Sequence, residues 1–307
     1  MAAMIIAPVA AIVVAAAGFA FPFPRILDRT IMVTLFAILL LFAHRLKLLD
    51  FLRQGFSTGQ VGVWQTLSGL TLAAGAIGVL FALAAFTGGN IRGAAIAASV
   101  LRYLPAAMLI GVIEEGFFRT FLLAGIEGDL GSSGALFASS AIFAIVHVMR
   151  SPARFYLTRF EPWAGAKTLA AYGERIIRPE VGPLLLGLFL LGLVLGKAFV
   201  ITRRAYASLG LHAGFVLGAK TWRLAVGGAI PRWLAGPGPV PLVAAPAAWV
   251  SSAIMLMTIW LWLGPNQHTF QFLNRKRAAY RAAECDSGDG STETVLDNGG
   301  RSLRWRR

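Results

Sequence analysis

Cysteine is almost absent from this chain of 307 residues: Cys285 stands alone. One thiol forms no intramolecular disulfide and no multi-cysteine zinc site. Cys285 sits between Glu284 and Asp286 in a polar stretch, an acidic setting that disfavours a thiolate. Charge is scarce as well. Only 14% of residues are Asp, Glu, Lys or Arg, against about 25% in a soluble domain. Acids are scarcest, 14 against 28 Lys and Arg. Alternating ten-residue strands are missing, which argues against a membrane β-barrel. His-Glu-x-x-His and Gly-x-Gly-Asp are also missing, so two familiar protease signatures are lost.

What remains is hydrophobic. Apolar residues make up 57% of the chain. Eight segments approach the roughly 20 apolar residues that a spanning helix needs: 4–21, 30–44, 62–87, 97–124, 132–149, 183–201, 205–218 and 242–264. The second and seventh are short. The fold expected is all-α, a polytopic transmembrane helical bundle of about eight spans. Residues 1–264 form its membrane-embedded domain, and 265–307 a polar, basic, disordered C-terminal tail. Segment 4–21 has no basic n-region and exceeds the usual signal-peptide core, so it reads as a retained helix.

The net charge of +14 does not point to nucleic acid. The basic residues lie mainly between apolar segments and in the tail, where lipid headgroups meet them. Eight spans would put the basic 150–182 connection opposite the basic tail, so charge leaves the orientation open. That connection mixes Arg159, Arg175 and Arg178 with Phe155, Tyr156, Trp163 and Tyr172. Such a mixture suits an interfacial helix that anchors the bundle; a lip admitting substrate is the sharper alternative. His44 and His268 border apolar segments and read as interfacial.

The strongest internal signal is Glu114-Glu115-Gly116-Phe117-Phe118-Arg119 inside the apolar run 104–125. A charge at the bilayer centre costs ~2.5–3.5 kcal/mol on insertion scales. Intramembrane ionisable groups usually face the bundle interior and mark a pathway or a reactive site. Arg119 follows Glu115 by four residues, on one helix face and in the better orientation. Glu114 lies about 100° further round and cannot share that partner equally. The pair divides into a structural Glu115 and a reactive Glu114, a carboxyl suited to acid–base work. A cluster that merely pins helices together is the bland alternative.

Two histidines lie in other apolar segments, His147 and His212. Singly, each would be an interhelical hydrogen-bonder; beside Glu114 they suggest a site. Gly210, Gly214 and Gly218 form a smooth strip that lets a helix approach closely. His212 is displaced from it by about 200°. Gly192 and Gly196 are the guessed partner surface.

Glu-Glu-x-x-Phe-Arg at 114–119, Phe-x-x-x-His at 143–147 and the later His212, in this order, resemble the CAAX-protease and bacteriocin-processing family, glutamic intramembrane endopeptidases related to type II CAAX prenyl proteases. The resemblance implies hydrolysis of a peptide bond by a water that Glu114 and His147 activate. Glu115 and Arg119 would hold the site and His212 would stabilise the oxyanion. It implies no cofactor and no metal. The partners it implies are a membrane-anchored or lipid-linked peptide or protein and the bilayer itself. Val216 departs from the family's frequent Asn, four residues after the later His; losing one oxyanion donor costs ~2.7–4 kcal/mol in a known protease. Lys220, one turn on, is a possible substitute, though snorkelling to the interface suits it better.

Rival readings remain. Gly131-Ser132-Ser133-Gly134 matches a rhomboid-type Gly-x-Ser-Gly, although Ser at a helix start is also an ordinary N-cap. Glu114, His147 and His212 could make a His₂Glu zinc protease. A non-catalytic scaffold or immunity-type membrane protein could keep the fold, and Val216 feeds that reading. The Ala- and Arg-rich, Lys-poor composition points to a bacterial inner membrane protein, multi-pass. Nothing points to a prenylated tail as substrate.

Overall fold

The computed structural model describes residues 2–42, 45, 48–56, 60–149, 155–237 and 242–263. His44, His268, Cys285 and the tail 265–307 lie outside these residues. Residues 1–261 form one compact unit. It is helical almost throughout, so the all-α expectation holds. Its helices are α1 (Ala2–Ala16), α2 (Phe23–Phe42), α3 (Leu48–Gly55), α4 (Gln60–Phe86), α5 (Gly93–Glu115), α6 (Ala124–Val148), α7 (Ala164–Ile176), α8 (Gly182–Thr202), α9 (Tyr206–Ala225), α10 (Arg232–Ala235) and α11 (Pro246–Leu263). A π-helical segment, Gly116–Leu123, joins α5 to α6 without a loop. Two short strands, β1 (Asn90–Ile91) and β2 (Val226–Gly227), pair antiparallel.

Each apolar segment read from the sequence overlaps a helix, though 17–21 and 242–245 lie outside one. By length and composition, three stretches among the described residues suffice to cross a membrane: Val61–Phe86, Gly93–Val148 and Pro179–Thr202. Ala3–Ala16 and Pro246–Leu261 are shorter apolar helices. Much of the outer surface is apolar: Phe86, Leu101 and Val33 are largely uncovered, as a chain solvated by lipid requires. The middle stretch is not one rod. Gly131 (φ 67°, ψ 166°) breaks α6 near its start, in a conformation open chiefly to glycine.

Helix α9 organises the bundle. Its glycine strip meets α4 rather than α8, which corrects the guess from Gly192 and Gly196. Gly210 lies against the Thr66 carbonyl and the Leu70 amide, Gly214 against Ala73 and Gly218 against Ile77. Gly69 of α4 returns the contact to Ala207 and Leu211. Gly192 of α8 instead faces Ser140 of α6, and Gly196 faces Leu136. The strip specifies a close approach but not a partner. A Cβ at Gly210 would stand 2.8 Å from the Leu70 amide nitrogen, and backbone cannot step aside as a side chain can. Gly210→Ala is expected to cost about 1–3 kcal/mol by overpacking, seen as a lower unfolding temperature in detergent. An unchanged transition would refute this account of the α4–α9 seam.

The opposite side of α9 meets α5, where Gly111 packs on Leu209. Their far ends are tied by Arg92, whose amide donates to the Ala225 carbonyl (2.9 Å) and whose guanidinium donates to the Leu224 carbonyl (2.5 Å). Register along this seam places the end of α5 beside the first turns of α9. The 150–182 connection contains α7, which packs on α1; its buried Tyr172 donates to Asp28 of α2 at 2.7 Å.

Candidate functional site

Four elements converge where α5 passes into the π segment. Glu114 and Glu115 end α5, Arg119 lies in the π segment, His147 ends α6, and His212 sits in the second turn of α9. The structure therefore brings together all five residues singled out from the sequence.

They fall into a sealed half and an open half. Glu115 and Arg119 are wholly buried, and the His212 side chain is 4% exposed. Glu114 and His147 are 27% and 21% exposed. Arg119 Nε donates to Glu115 Oε2 at 3.1 Å. The other oxygen of Glu115, Oε1, lies 2.7 Å from His212 Nδ1. A carboxylate only accepts, so His212 carries its proton on Nδ1 by this partner, and Nε2 points at Glu114 Oε2, 3.6 Å away. Glu115 thus anchors both Arg119 and His212. Sequence reasoning assigned it only the first, because i to i+4 spacing reveals partners on one helix and none on another. Ser208, buried one turn before His212, borders Glu115 while donating to the Ala205 carbonyl at 2.9 Å.

In the open half, His147 Nδ1 lies 2.8 Å from the Phe143 carbonyl, an acceptor, so this nitrogen is the donor. Its Nε2 then faces Glu114 Oε2 at 3.0 Å. Two acceptors at that separation are placed for a single proton to bridge them. Phe143 lies at the centre of the packing. Its ring centroid is 4.1 Å from that of His147 and 6.0 Å from that of His212. It also lies 5.3 Å below the Arg119 guanidinium, a cation–π arrangement. Phe118 meets Phe143 edge to face at 5.1 Å. Both rings belong to the motifs read from the sequence, Phe118 to the first and Phe143 to the second, and the structure shows what they touch.

The π segment was not legible in the sequence. Its i to i+5 bonding shows at the end, where the Ala124 amide donates to the Arg119 carbonyl. Widened turns of this kind recur at functional sites.

The alternative motifs lie elsewhere or take other partners. Ser132 follows the Gly131 break, and its hydroxyl donates to Glu127. Glu127 also receives Arg203 Nη1 at 2.6 Å. Fifteen helical residues separate Ser132 from His147, about 22 Å of axis. Ser132→Ala is expected to leave any peptidase activity of the protein within about twofold, since a surface contact of this kind contributes little; loss of activity would restore the serine reading. Lys220 Nζ rests 5.3 Å from the Tyr103 ring, two turns or about 12 Å along the axis from His212. Val216, half-buried on the same helix, offers no donor. Among the described residues no group of three or more His, Cys, Asp or Glu side chains is disposed to hold a metal ion.

Residues 96–218 match the family model described as type II CAAX prenyl endopeptidase Rce1-like. The matched stretch runs from α5 into α9 and contains all five site residues. No curated protein and no solved structure matches the chain.

Proposed function

We propose that the Rce1-like domain carried by residues 96–218 makes this protein a membrane endopeptidase of the glutamic type. The observation that carries the reading is the division of the site. Glu114 and His147 lie 3.0 Å apart in the partly exposed half, while Glu115, Arg119 and His212 are sealed behind them. A water beside the Glu114 carboxylate gives a proton to the Glu114–His147 pair as its oxygen attacks a peptide carbonyl. The resulting oxyanion is met by Nε2–H of His212. With Nδ1–H committed to Glu115, His212 needs both ring protons for this, and Glu114 and Glu115 together face the charges of His212 and Arg119. The pair then returns its proton to the departing amine as the C–N bond breaks. General acid–base groups of this kind contribute about 10²–10⁴-fold.

The substrate class is a membrane-anchored or lipid-linked peptide or protein. Residues 1–264 act as the multi-pass membrane domain, of about eight spans, with 265–307 as its tail, in a bacterial inner membrane. Val216 supports one rival, a scaffold that keeps the fold without chemistry. The test is cleavage of a membrane-anchored peptide library by purified protein in detergent, wild type beside Glu114→Gln, with and without chelator. Cleavage that needs Glu114 and ignores chelator supports the proposal. Chelator-sensitive cleavage moves it to a zinc enzyme, and a partner phenotype surviving Glu114→Gln but lost in Arg119→Ala moves it to a scaffold.

A further inference from the structure

Away from the site, α1 and α2 leave an open groove of about 990 Å³ between them. Their other side is closed by packing of Ala7, Ala11, Phe23 and Leu27 with Leu157 and Ala164. The groove has a cationic mouth and a mainly apolar length. Arg25 and Arg29, one turn apart near the start of α2, line one end. Ile6 and Val14 from α1 and Val33 and Ala37 from α2 line much of the rest, with Thr30 and Thr34 the polar side chains among them. Ile6 and Val33 are about half and two-thirds exposed among the described residues.

The dimensions match one kind of occupant. From Arg25 to Ala37 is twelve helical residues, about 18 Å of axis. Half of a 30 Å hydrocarbon core is about 15 Å, the reach of a lipid's chains below its phosphate. Arg25 and Arg29 also stand in the first two turns of α2, where the helix dipole favours an anion. The nearest acid on this helix, Asp28, accepts from Tyr172 of α7 and is not part of the groove lining. Arg29 is engaged within the protein as well as lining the groove; no such engagement is needed to place Arg25 at its mouth. Basic pockets between membrane helices are a recurrent mode of anionic headgroup binding.

We infer that the α1–α2 groove is a binding site for an anionic phospholipid, with its phosphate on Arg25 and Arg29 and an acyl chain along Val33 and Ala37. The site lies outside the matched domain and does not depend on the catalytic reading. Native mass spectrometry of purified full-length protein, titrated with phosphatidylglycerol or phosphatidylcholine in a zwitterionic detergent, tests it. Wild type is expected to retain one phosphatidylglycerol in clear preference to phosphatidylcholine. Arg25→Gln/Arg29→Gln should weaken that lipid about thirtyfold, as two near-surface cations would. Val33→Trp should displace it by filling the groove with both arginines intact, which keeps the test decisive if the double variant does not fold. Equal affinity for the two lipids, retention in Val33→Trp, or displacement by millimolar inorganic phosphate alone would overturn the inference; the last would show an anion site without a chain groove.

Discussion

Glu114→Gln is expected to reduce the cleavage rate about 10²–10⁴-fold while leaving the unfolding transition in place. The side chain keeps its size and stands in the open half of the site, so the amide meets no packing penalty. What it loses is the proton site opposite His147 Nε2, 3.0 Å away. On the proposed mechanism the loss should fall on kcat, because the group would act on water in the transition state and not on the bound peptide. A rate within threefold of wild type would remove Glu114 from the chemistry. Glu115→Gln makes an instructive comparison: it should damage both folding and rate, since two partners depend on that carboxylate.

Arg119→Met is expected to destabilise the protein by about 3–5 kcal/mol, the usual cost of breaking a buried pair from one side. It leaves Glu115 charged, wholly buried and compensated only by His212. The remaining guanidinium nitrogens, Nη1 and Nη2, are buried without hydrogen-bond partners among the described residues. The native pair therefore bears an unrelieved desolvation cost of its own. Glu115→Gln/Arg119→Met should accordingly recover much of the lost stability, because both charges leave together. It should not recover cleavage, because His212 would no longer be held by a carboxylate. Thermal unfolding in detergent and the peptide assay, run on the same samples, separate the two effects. If the double variant is as unstable as Arg119→Met, the pair contributes through packing against Phe143 and not through charge.

Hydrophobic runs located the helices because a spanning or buried helix must be apolar over most of its length. Polar and short elements gave no such signal: α3, α10 and the β1–β2 pair arise from tertiary contacts. The charged motif was legible for a related reason, since ionisable groups stand out where almost everything else is apolar. Direction was harder to read than identity. The glycine strip on α9 announced a close neighbour, yet α4 and α8 offered equivalent glycines, and only the structure selects α4. The bond from His212 to Glu115 spans 97 residues, and no local spacing encodes it. Phe143 shows the same limit: the motif at 143–147 names it, but its contacts with His212 and Arg119 appear only in the structure.

The π segment changes how motif spacing should be counted in this protein. On a regular helix, sequence separation converts to angle at a constant rate, and a numbering offset is also a rotation. Between Gly116 and Leu123 that conversion fails, since the hydrogen bonds skip one residue more. Removing a residue from this stretch could relax it to an ordinary helix, but everything from α6 onward would then be turned about the axis relative to α5. A gap placed there when homologous chains are aligned is thus a mechanical statement about which way His147 faces, and it carries more consequence than a gap in any surface loop.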